Sequence, residues 1–180
     1  MTHRSRLPFI AVCAAGLTLC SAPLLAQNVA RPDRVGDVLR IALPLAAAAG
    51  ALAQDDTEGL RQLTLTLALS EGSTALLKFS LDRRRPDGSG HGFPSGHAST
   101  AFAASAFVHK RYGLQWALPM YGLATFVGYR RVHTRNHFAR DVFAGAAVGM
   151  ASAFFFTSRA PNFGIALLPH GFAVTYANEW

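Results

Sequence analysis

Cysteine is almost absent from this chain, and so are the flexible linkers that separate domains. The two cysteines, Cys13 and Cys20, both lie within the first 26 residues. If that segment is removed, no thiol remains, which excludes disulfides and a cysteine nucleophile. No internal repeat and no low-complexity linker interrupts the 180 residues. A chain of this length therefore suits one domain.

Charge is also scarce, and what there is has mainly one sign. Charged residues make up 15% of the chain and hydrophobic residues 51%, with a mean hydropathy of +0.22, between typical soluble and membrane proteins. The 17 basic and 10 acidic residues give a net charge of +7, which favours anionic partners such as phosphates or an anionic lipid surface. Nucleic acid is disfavoured, because the basic residues form no helical stripe with interleaved aromatics.

Residues 1–26 resemble a secretory signal. Arg4 and Arg6 precede an apolar run over 9–19, and cleavage is most plausible after Ala26. We therefore predict an exported protein of the bacterial cell envelope. An uncleaved anchor helix is the alternative interpretation of the same segment.

The remainder, 27–180, is predicted to be a single domain with a core over 38–158 and a tail over 159–180. A polar lead-in over 27–37 is followed by five predicted helices, over 38–54, 60–79, 95–111, 112–129 and 142–158. Polar loops over 81–93 and 130–136 separate them. Alternation around a Pro-His-Gly turn predicts a short β-hairpin over 163–176. The first helix has an uncharged core of only 14 residues, which falls short of a bilayer of about 30 Å.

Three polar clusters punctuate the apolar helices. They are Lys78 with Arg85-Pro86, then Pro94-Ser95-Gly96-His97, then Arg131 with His137 and Asp141. Phosphoryl transfer spreads negative charge over three oxygens in the transition state. The guanidinium forks of Arg85 and Arg131 suit such a group, and Lys78 adds a point charge.

The second cluster also suits an anion. Ser95 can cap the helix that follows, so that the free N–H groups of Gly96 and His97 point at the anion. Gly96 allows the backbone to approach closely.

The two histidines supply the remaining chemistry of a phosphatase. One can attack phosphorus and form a phosphohistidine, while the other protonates the leaving oxygen. Asp141 lies four residues after His137, on the same helical face, and can hold one ring nitrogen. This chemistry requires no metal and no cofactor.

The order of the helices brings these clusters together. The second and third helices share the loop that carries the first two clusters, and the fourth helix returns the chain to the same end before Arg131. Lys110, Arg111 and Arg159 then lie at the far end, which the positive-inside tendency would place in the cytoplasm if the helices span a membrane.

Together, the three clusters resemble the type 2 phosphatidic acid phosphatase superfamily, which includes bacterial non-specific acid phosphatases and vanadium haloperoxidases. The resemblance runs from Lys78 to Asp141, and the helix to Ser158 fits it as well. It implies an all-α bundle with the active site at one end. It also implies that His137 is the nucleophile, Asp141 its orienting residue and His97 the general acid. The phosphate would be held by Lys78, Arg85, Ser95, Gly96 and Arg131.

The chain departs from the family pattern at Arg130, where a serine is usual. Because Arg131 keeps its spacing to His137, we expect activity to survive, and we expect the extra charge to favour a more anionic substrate. His91 and His133 match no family position and are interpreted as loop residues.

The leading functional hypothesis is a metal-independent phosphatase of lipid phosphates in the inner membrane, with a periplasm-facing site. Candidate substrates are phosphatidic acid, phosphatidylglycerol phosphate, undecaprenyl pyrophosphate and lipid A. The alternative is a soluble periplasmic acid phosphatase, which the short and partly polar helices favour. A vanadium haloperoxidase fits less well, because those chains are far longer, and an inactive binding protein fits less well because the clusters are complete. No pattern selects a head group or an oligomeric state.

Overall fold

The computed structural model describes residues 33–86 and 90–160 and the backbone of two strands beyond them. The helices are α1 (Arg34–Leu52), α2 (Thr57–Leu81), α3 (Gly96–Tyr112), α4 (Leu114–His133) and α5 (Ala139–Phe156). Strands β1 (Asn162–Leu168) and β2 (Gly171–Ala177) pair in antiparallel register in the tail. The predicted signal and both cysteines lie outside the described residues.

The core is all-helical, as the sequence predicts, and α3 lies at its centre. This helix contacts α1, α2, α4 and α5. Its small and apolar side chains, among them Ala101, Ala104 and Phe107, are fully buried. The helices alternate in direction, so the N-termini of α1, α3 and α5 meet the C-termini of α2 and α4 at one end.

Asp33 caps α1 and makes that helix begin earlier than predicted. Its side chain accepts the N–H of Gly36 at 3.2 Å, which satisfies one of the free donors of the first turn. Part of the stretch predicted as a polar lead-in is therefore helical. As a consequence, Asp37 is held on the first turns of α1, at the end of the bundle that carries the three clusters.

The predicted loop over 130–136 is wrong in its first four residues, because α4 continues to His133. Arg130 and Arg131 do not end the helix; both contact the buried Asp33. Basic side chains in a last turn also interact favourably with the helix dipole.

Glycines let α5 approach α3 closely. A Cβ on Gly145 would lie 2.3 Å from the Ser95 carbonyl oxygen, and one on Gly149 would lie 2.2 Å from that of Ser99. Neither contact is possible for a larger residue without a backbone shift. The small residues of the last predicted helix thus pack closely against a neighbouring helix, as expected.

The opposite end of the bundle is closed by a buried ion pair. Arg111 donates to both carboxylate oxygens of Asp56, at 2.8 and 2.6 Å, and to the carbonyl oxygen of Ser158 at 3.0 Å. This pair joins the start of α2 to the end of α3 and to the residues after α5. The far-end position expected for Arg111 is confirmed.

Two helices, α1 and α5, are long and apolar enough to cross a membrane. At 19 and 18 residues, they extend about 27–29 Å, close to the ~30 Å hydrocarbon layer. Only a third of each span is buried against protein. The sequence estimate of 14 residues counted only the uncharged segment after Arg40, whereas the helix itself begins at Arg34.

Candidate active site

A pocket of about 200 Å³ lies at the end of the bundle that carries the three clusters. Six of the eight predicted site residues line it, namely Lys78, Arg85, Gly96, His97, Arg131 and His137. The other two, Ser95 and Asp141, are buried behind it. Ser95 is the N-cap of α3, as predicted, and its side chain faces the N–H of Ala98 at 3.5 Å.

His137 lies in the bend before α5 with only 2% of its surface exposed. Its Nδ1 lies 2.8 Å from the carbonyl oxygen of Gly92. A carbonyl only accepts, so Nδ1 carries the proton and Nε2 keeps its lone pair. Burial, and then the positive charge of Arg85, lower the pKa of His137 to about 3. The imidazole is therefore neutral at physiological pH, which is the nucleophilic form.

Asp141 does not hold the His137 ring in the way the sequence suggests. Its Oδ2 lies 3.8 Å from Nδ1, beyond hydrogen-bonding distance. That oxygen accepts the N–H of Phe138 at 2.9 Å instead, which caps the first turn of α5. The backbone carbonyl of Asp141 accepts the N–H of Ser95 at 2.8 Å. Asp141 thus joins the second and third clusters and places a negative charge beside the imidazole.

Gly92 is a site residue that the sequence reasoning missed. Its N–H donates to the carbonyl oxygen of Arg83 at 2.6 Å, which folds the loop back on itself. A Cβ on Gly92 would lie 3.1 Å from that oxygen and 2.9 Å from the Arg85 side chain. Glycine therefore lets the loop turn its carbonyl towards His137. A backbone acceptor leaves no signal in the sequence apart from the glycine itself.

His97 is held from both sides. Its Nε2 lies 2.7 Å from Oδ1 of Asp37, and its Nδ1 lies 3.1 Å from Nη2 of Arg131. Arginine only donates, so Nδ1 accepts and Nε2 donates to the carboxylate. Burial, and then the charge of Arg131, lower the pKa of His97, while the hydrogen bond to Asp37 acts in the opposite direction.

Two buried guanidinium nitrogens support an anion site. Within the part of the chain that the structure describes, Nε of Arg85 and Nε of Arg131 have no hydrogen-bond partner. Buried donors without partners are rare in folded proteins, and the oxygens of a bound phosphate would supply acceptors. Lys78 also lines the pocket, and its Nζ donates to the carbonyl oxygen of His91 at 3.2 Å.

Arg130, which stands where the family usually has a serine, does not line the pocket. Its Nη2 lies 3.0 Å from Oδ1 of Asp33, whose side chain is fully buried. Asp33, which also contacts Arg131, therefore holds Arg130 outside the pocket lining, and this position does not support the expectation that Arg130 favours a more anionic substrate. His91 and His133 also lie outside the pocket lining, and the ring of His133 stacks on Tyr129.

Arg40 and Glu71 are further pocket residues that no motif identified. They form an ion pair at 3.1 Å, and Thr100 donates to the same carboxylate.

Among the described residues, no group of three His, Cys, Asp or Glu side chains could hold a metal ion.

Comparison with known proteins agrees with this geometry. The family model of the PAP2 superfamily matches residues 87–164. The chain is 34% identical over 139 residues to the lipid A 4'-phosphatase of Helicobacter pylori J99, an alignment that covers 71% of this chain and 70% of that protein. It is 40% identical over 90 residues to the lipid A 1-phosphatase of Porphyromonas gingivalis, which covers 48% of this chain but only 20% of the relative.

The fold is also similar to a solved structure. The crystal structure of Aquifex aeolicus LpxE superposes with a TM-score of 0.54 and 21% identity, over 82% of this chain and 90% of that one. At this identity the similarity concerns the fold.

Proposed function

Since the chain belongs to the PAP2 superfamily, we propose that it hydrolyses lipid phosphates through a phosphohistidine formed on His137. The lipid A phosphatases among its relatives and its fold support a lipid phosphate phosphatase. The observation that carries the mechanism is the hydrogen bond between Nδ1 of His137 and the Gly92 carbonyl. It leaves Nε2 of a neutral imidazole for a pocket that Lys78, Arg85 and Arg131 also line.

In the first step, the Nε2 lone pair attacks phosphorus, a P–N bond forms and the P–O bond to the lipid breaks. The leaving oxygen takes a proton from His97. Arg85, Arg131 and Lys78 stabilise the charge on the three equatorial oxygens. In the second step, water attacks phosphorus, the P–N bond breaks and the proton of the water passes back to His97.

The size of the pocket supports recognition of a head group and not of the whole lipid. Its volume of about 200 Å³ lies below the roughly 300–1,000 Å³ of sites that enclose entire small ligands. The acyl chains would stay outside. The relatives act on lipid A, as their names state, so a phosphorylated glycolipid is the first substrate we propose, ahead of phosphatidic acid, phosphatidylglycerol phosphate and undecaprenyl pyrophosphate.

We place the protein in the inner membrane, with the site at the outer surface. Along α1 and α5, the charged residues lie in the first turns, at the site end, and the apolar residues follow. Large apolar side chains are exposed along both helices, including Val38, Ile41, Leu45, Phe143 and Phe155. This arrangement would hold the pocket at the level of lipid phosphates. A soluble periplasmic acid phosphatase is the alternative.

The nucleophile is tested by substituting His137→Ala and trapping the intermediate. Wild-type protein quenched during turnover of a radiolabelled lipid phosphate should carry an acid-labile, alkali-stable phosphoryl group. The variant should carry none and should release phosphate at the background rate. His133→Ala is the matched control, since His133 is exposed and outside the pocket, and it should keep both signals. Equal rates for wild type and His137→Ala would contradict the proposal.

The substrate is tested with the same protein by a phosphate-release panel in the presence of EDTA. The panel contains lipid A, phosphatidic acid, phosphatidylglycerol phosphate, undecaprenyl pyrophosphate and a soluble monoester. We expect the highest kcat/KM on lipid A. A preference for the soluble monoester would favour the acid phosphatase alternative, and loss of all turnover with EDTA would contradict metal independence.

A further inference from the structure

A carboxylate on the first helix contacts the histidine to which we assign the proton transfer. We propose that Asp37 is a positioning residue that fixes His97 so that Nδ1, and not Nε2, protonates the leaving oxygen. This inference rests on the proposed function and adds a residue that lies outside all three clusters.

The geometry assigns one nitrogen of His97 to Asp37. Nε2 lies 2.7 Å from Oδ1 of Asp37, a distance typical of hydrogen bonds to a charged acceptor. Asp37 projects from α1, whose start is held by the Asp33 cap. His97 lies in the first turn of α3. The contact therefore joins two helix N-termini at the pocket and fixes the ring from one side.

The other nitrogen of His97 is directed towards the phosphate-binding group. Nδ1 lies 3.1 Å from Nη2 of Arg131, and Arg131 lines the pocket. A phosphate bound to this guanidinium would lie next to Nδ1. Because Nε2 is committed to Asp37, Nδ1 is the atom that can reach the ester oxygen.

The charges around His97 mostly oppose protonation of its ring, so the carboxylate of Asp37 is needed to favour the protonated form. Arg40 on α1 and Arg131 on α4 both disfavour the imidazolium form, as does burial. Lys78, Arg85 and His137 line the same pocket, with Glu71 as a more distant carboxylate. Asp37 is the group that touches the ring and favours its protonated form. To act as the acid, His97 takes up a proton on Nδ1, which then no longer accepts from Arg131, so that Nη2 of Arg131 can donate to the bound phosphate. When the P–O bond breaks, the Nδ1 proton passes to the leaving oxygen, while the other proton stays on Nε2 in its hydrogen bond to Asp37. The water of the second step then restores the Nδ1 proton.

A second contact of Asp37 suggests the competing explanation. Its Oδ1 lies 3.4 Å from Nη1 of Arg131, so the carboxylate could instead serve to hold that arginine. In that case, removing the carboxylate would weaken phosphate binding on every substrate alike. If Asp37 acts through His97 instead, the loss of rate should be larger for substrates whose leaving group needs a proton.

The experiment compares Asp37→Asn with wild type on two soluble esters, an alkyl phosphate and p-nitrophenyl phosphate. The alkoxide must be protonated as it leaves, whereas p-nitrophenolate leaves without a proton. We expect kcat on the alkyl ester to fall about 10–100-fold, at or below the lower limit of the roughly 10²–10⁴-fold that a general acid contributes, because His97 itself remains. We expect kcat on p-nitrophenyl phosphate to fall much less. Asp82→Asn is the matched control, since Asp82 is exposed and outside the pocket lining, and it should leave both rates unchanged.

A double variant supplies an independent readout. In a His97→Ala background, Asp37→Asn should cause no further loss on the alkyl ester, because the group on which it acts is gone. Equal losses on both esters, additive losses in the double variant or an unchanged Asp37→Asn would each overturn the inference. Any of these results, with activity that still requires His137, leaves the proposed function intact. Activity that survives His137→Ala would instead overturn the function.

Discussion

The two histidines of the pocket are held by different kinds of partner, and this difference separates their chemistry. Nδ1 of His137 contacts a neutral backbone carbonyl, at Gly92, and among the residues that the structure describes no carboxylate lies at hydrogen-bonding distance from it. Nε2 of His97 contacts the charged side chain of Asp37. A carboxylate favours the imidazolium form, and a carbonyl does so far less. The first ring therefore suits a nucleophile and the second a proton donor.

The depressed pKa of His137 predicts how stability depends on pH. The unfolded chain binds a proton near pH 6.5, whereas the folded protein resists it to about pH 3. Because the unfolded state binds this proton more readily, the free energy of unfolding decreases as the pH falls from 6.5 towards 3. The contribution is fully present above pH 6.5, and up to a few kcal/mol is lost at the low end. We expect the Tm of wild type to fall across this range more than that of His137→Asn, which cannot titrate. Parallel Tm curves would contradict this prediction.

For individual residues, the sequence predicted which types of side chain line the pocket better than it predicted the contacts they make. Arginine, lysine and histidine at motif spacing carry their chemistry in their side chains. Five of the six such residues that line the pocket were identified, and only Arg40, which belongs to no motif, was missed. Asp37 was missed because its partner is 60 residues away. The first helix was predicted to begin at residue 38, one residue after Asp37, because the N-cap at Asp33 was not recognised.

At the scale of elements, the contact between α3 and α5 sets the distance between the second and third clusters. The N–H of Ser95 donates to the carbonyl of Asp141, and Gly145 packs directly on the carbonyl of Ser95. The position of the α3 N-terminus relative to His137 therefore depends on the absence of a side chain at Gly145.

Gly145→Ala should destabilise the protein and displace the site. Its Cβ would lie 2.3 Å from a backbone oxygen, so the helices must separate, at about 1–3 kcal/mol for overpacking. Gly122→Ala is the matched control, because no atom lies within 4 Å of its Cβ, and it should raise stability by about 0.5–1 kcal/mol. Thermal unfolding and kcat/KM of both variants provide the measurement. A Gly145→Ala protein with wild-type Tm and activity would show that this close contact determines neither the stability of the protein nor the position of the site.

On the scale of the whole molecule, charge and apolar surface are separated. The pocket and its charged residues occupy one end, the Asp56–Arg111 pair closes the other, and exposed apolar side chains lie along the helices between them. Large contiguous apolar patches on a protein surface mark contacts with a partner or a membrane.

The full chain should therefore remain in the membrane fraction after washing with high salt and with alkaline carbonate. Such washes remove proteins held by charge, whereas apolar helices in a bilayer resist them. Detergent should release it with its phosphatase activity. Release by osmotic shock without detergent would contradict membrane insertion and would favour the soluble alternative.

The sequence by itself determined the helical core and pointed to a phosphatase through its three polar clusters, because periodicity, caps and side-chain charge are local properties. It placed the clusters at one end, since alternating helices return the chain to the same side. Only the tertiary structure decided which atoms meet. The loop backbone brought the Gly92 carbonyl to His137, the capping of α5 kept Asp141 at 3.8 Å from it, and the earlier start of α1 brought Asp33 to Arg130 and Asp37 to His97. These contacts depend on how separate helices and loops pack against one another. The spacing of residues along the chain does not specify how close two such elements come in space.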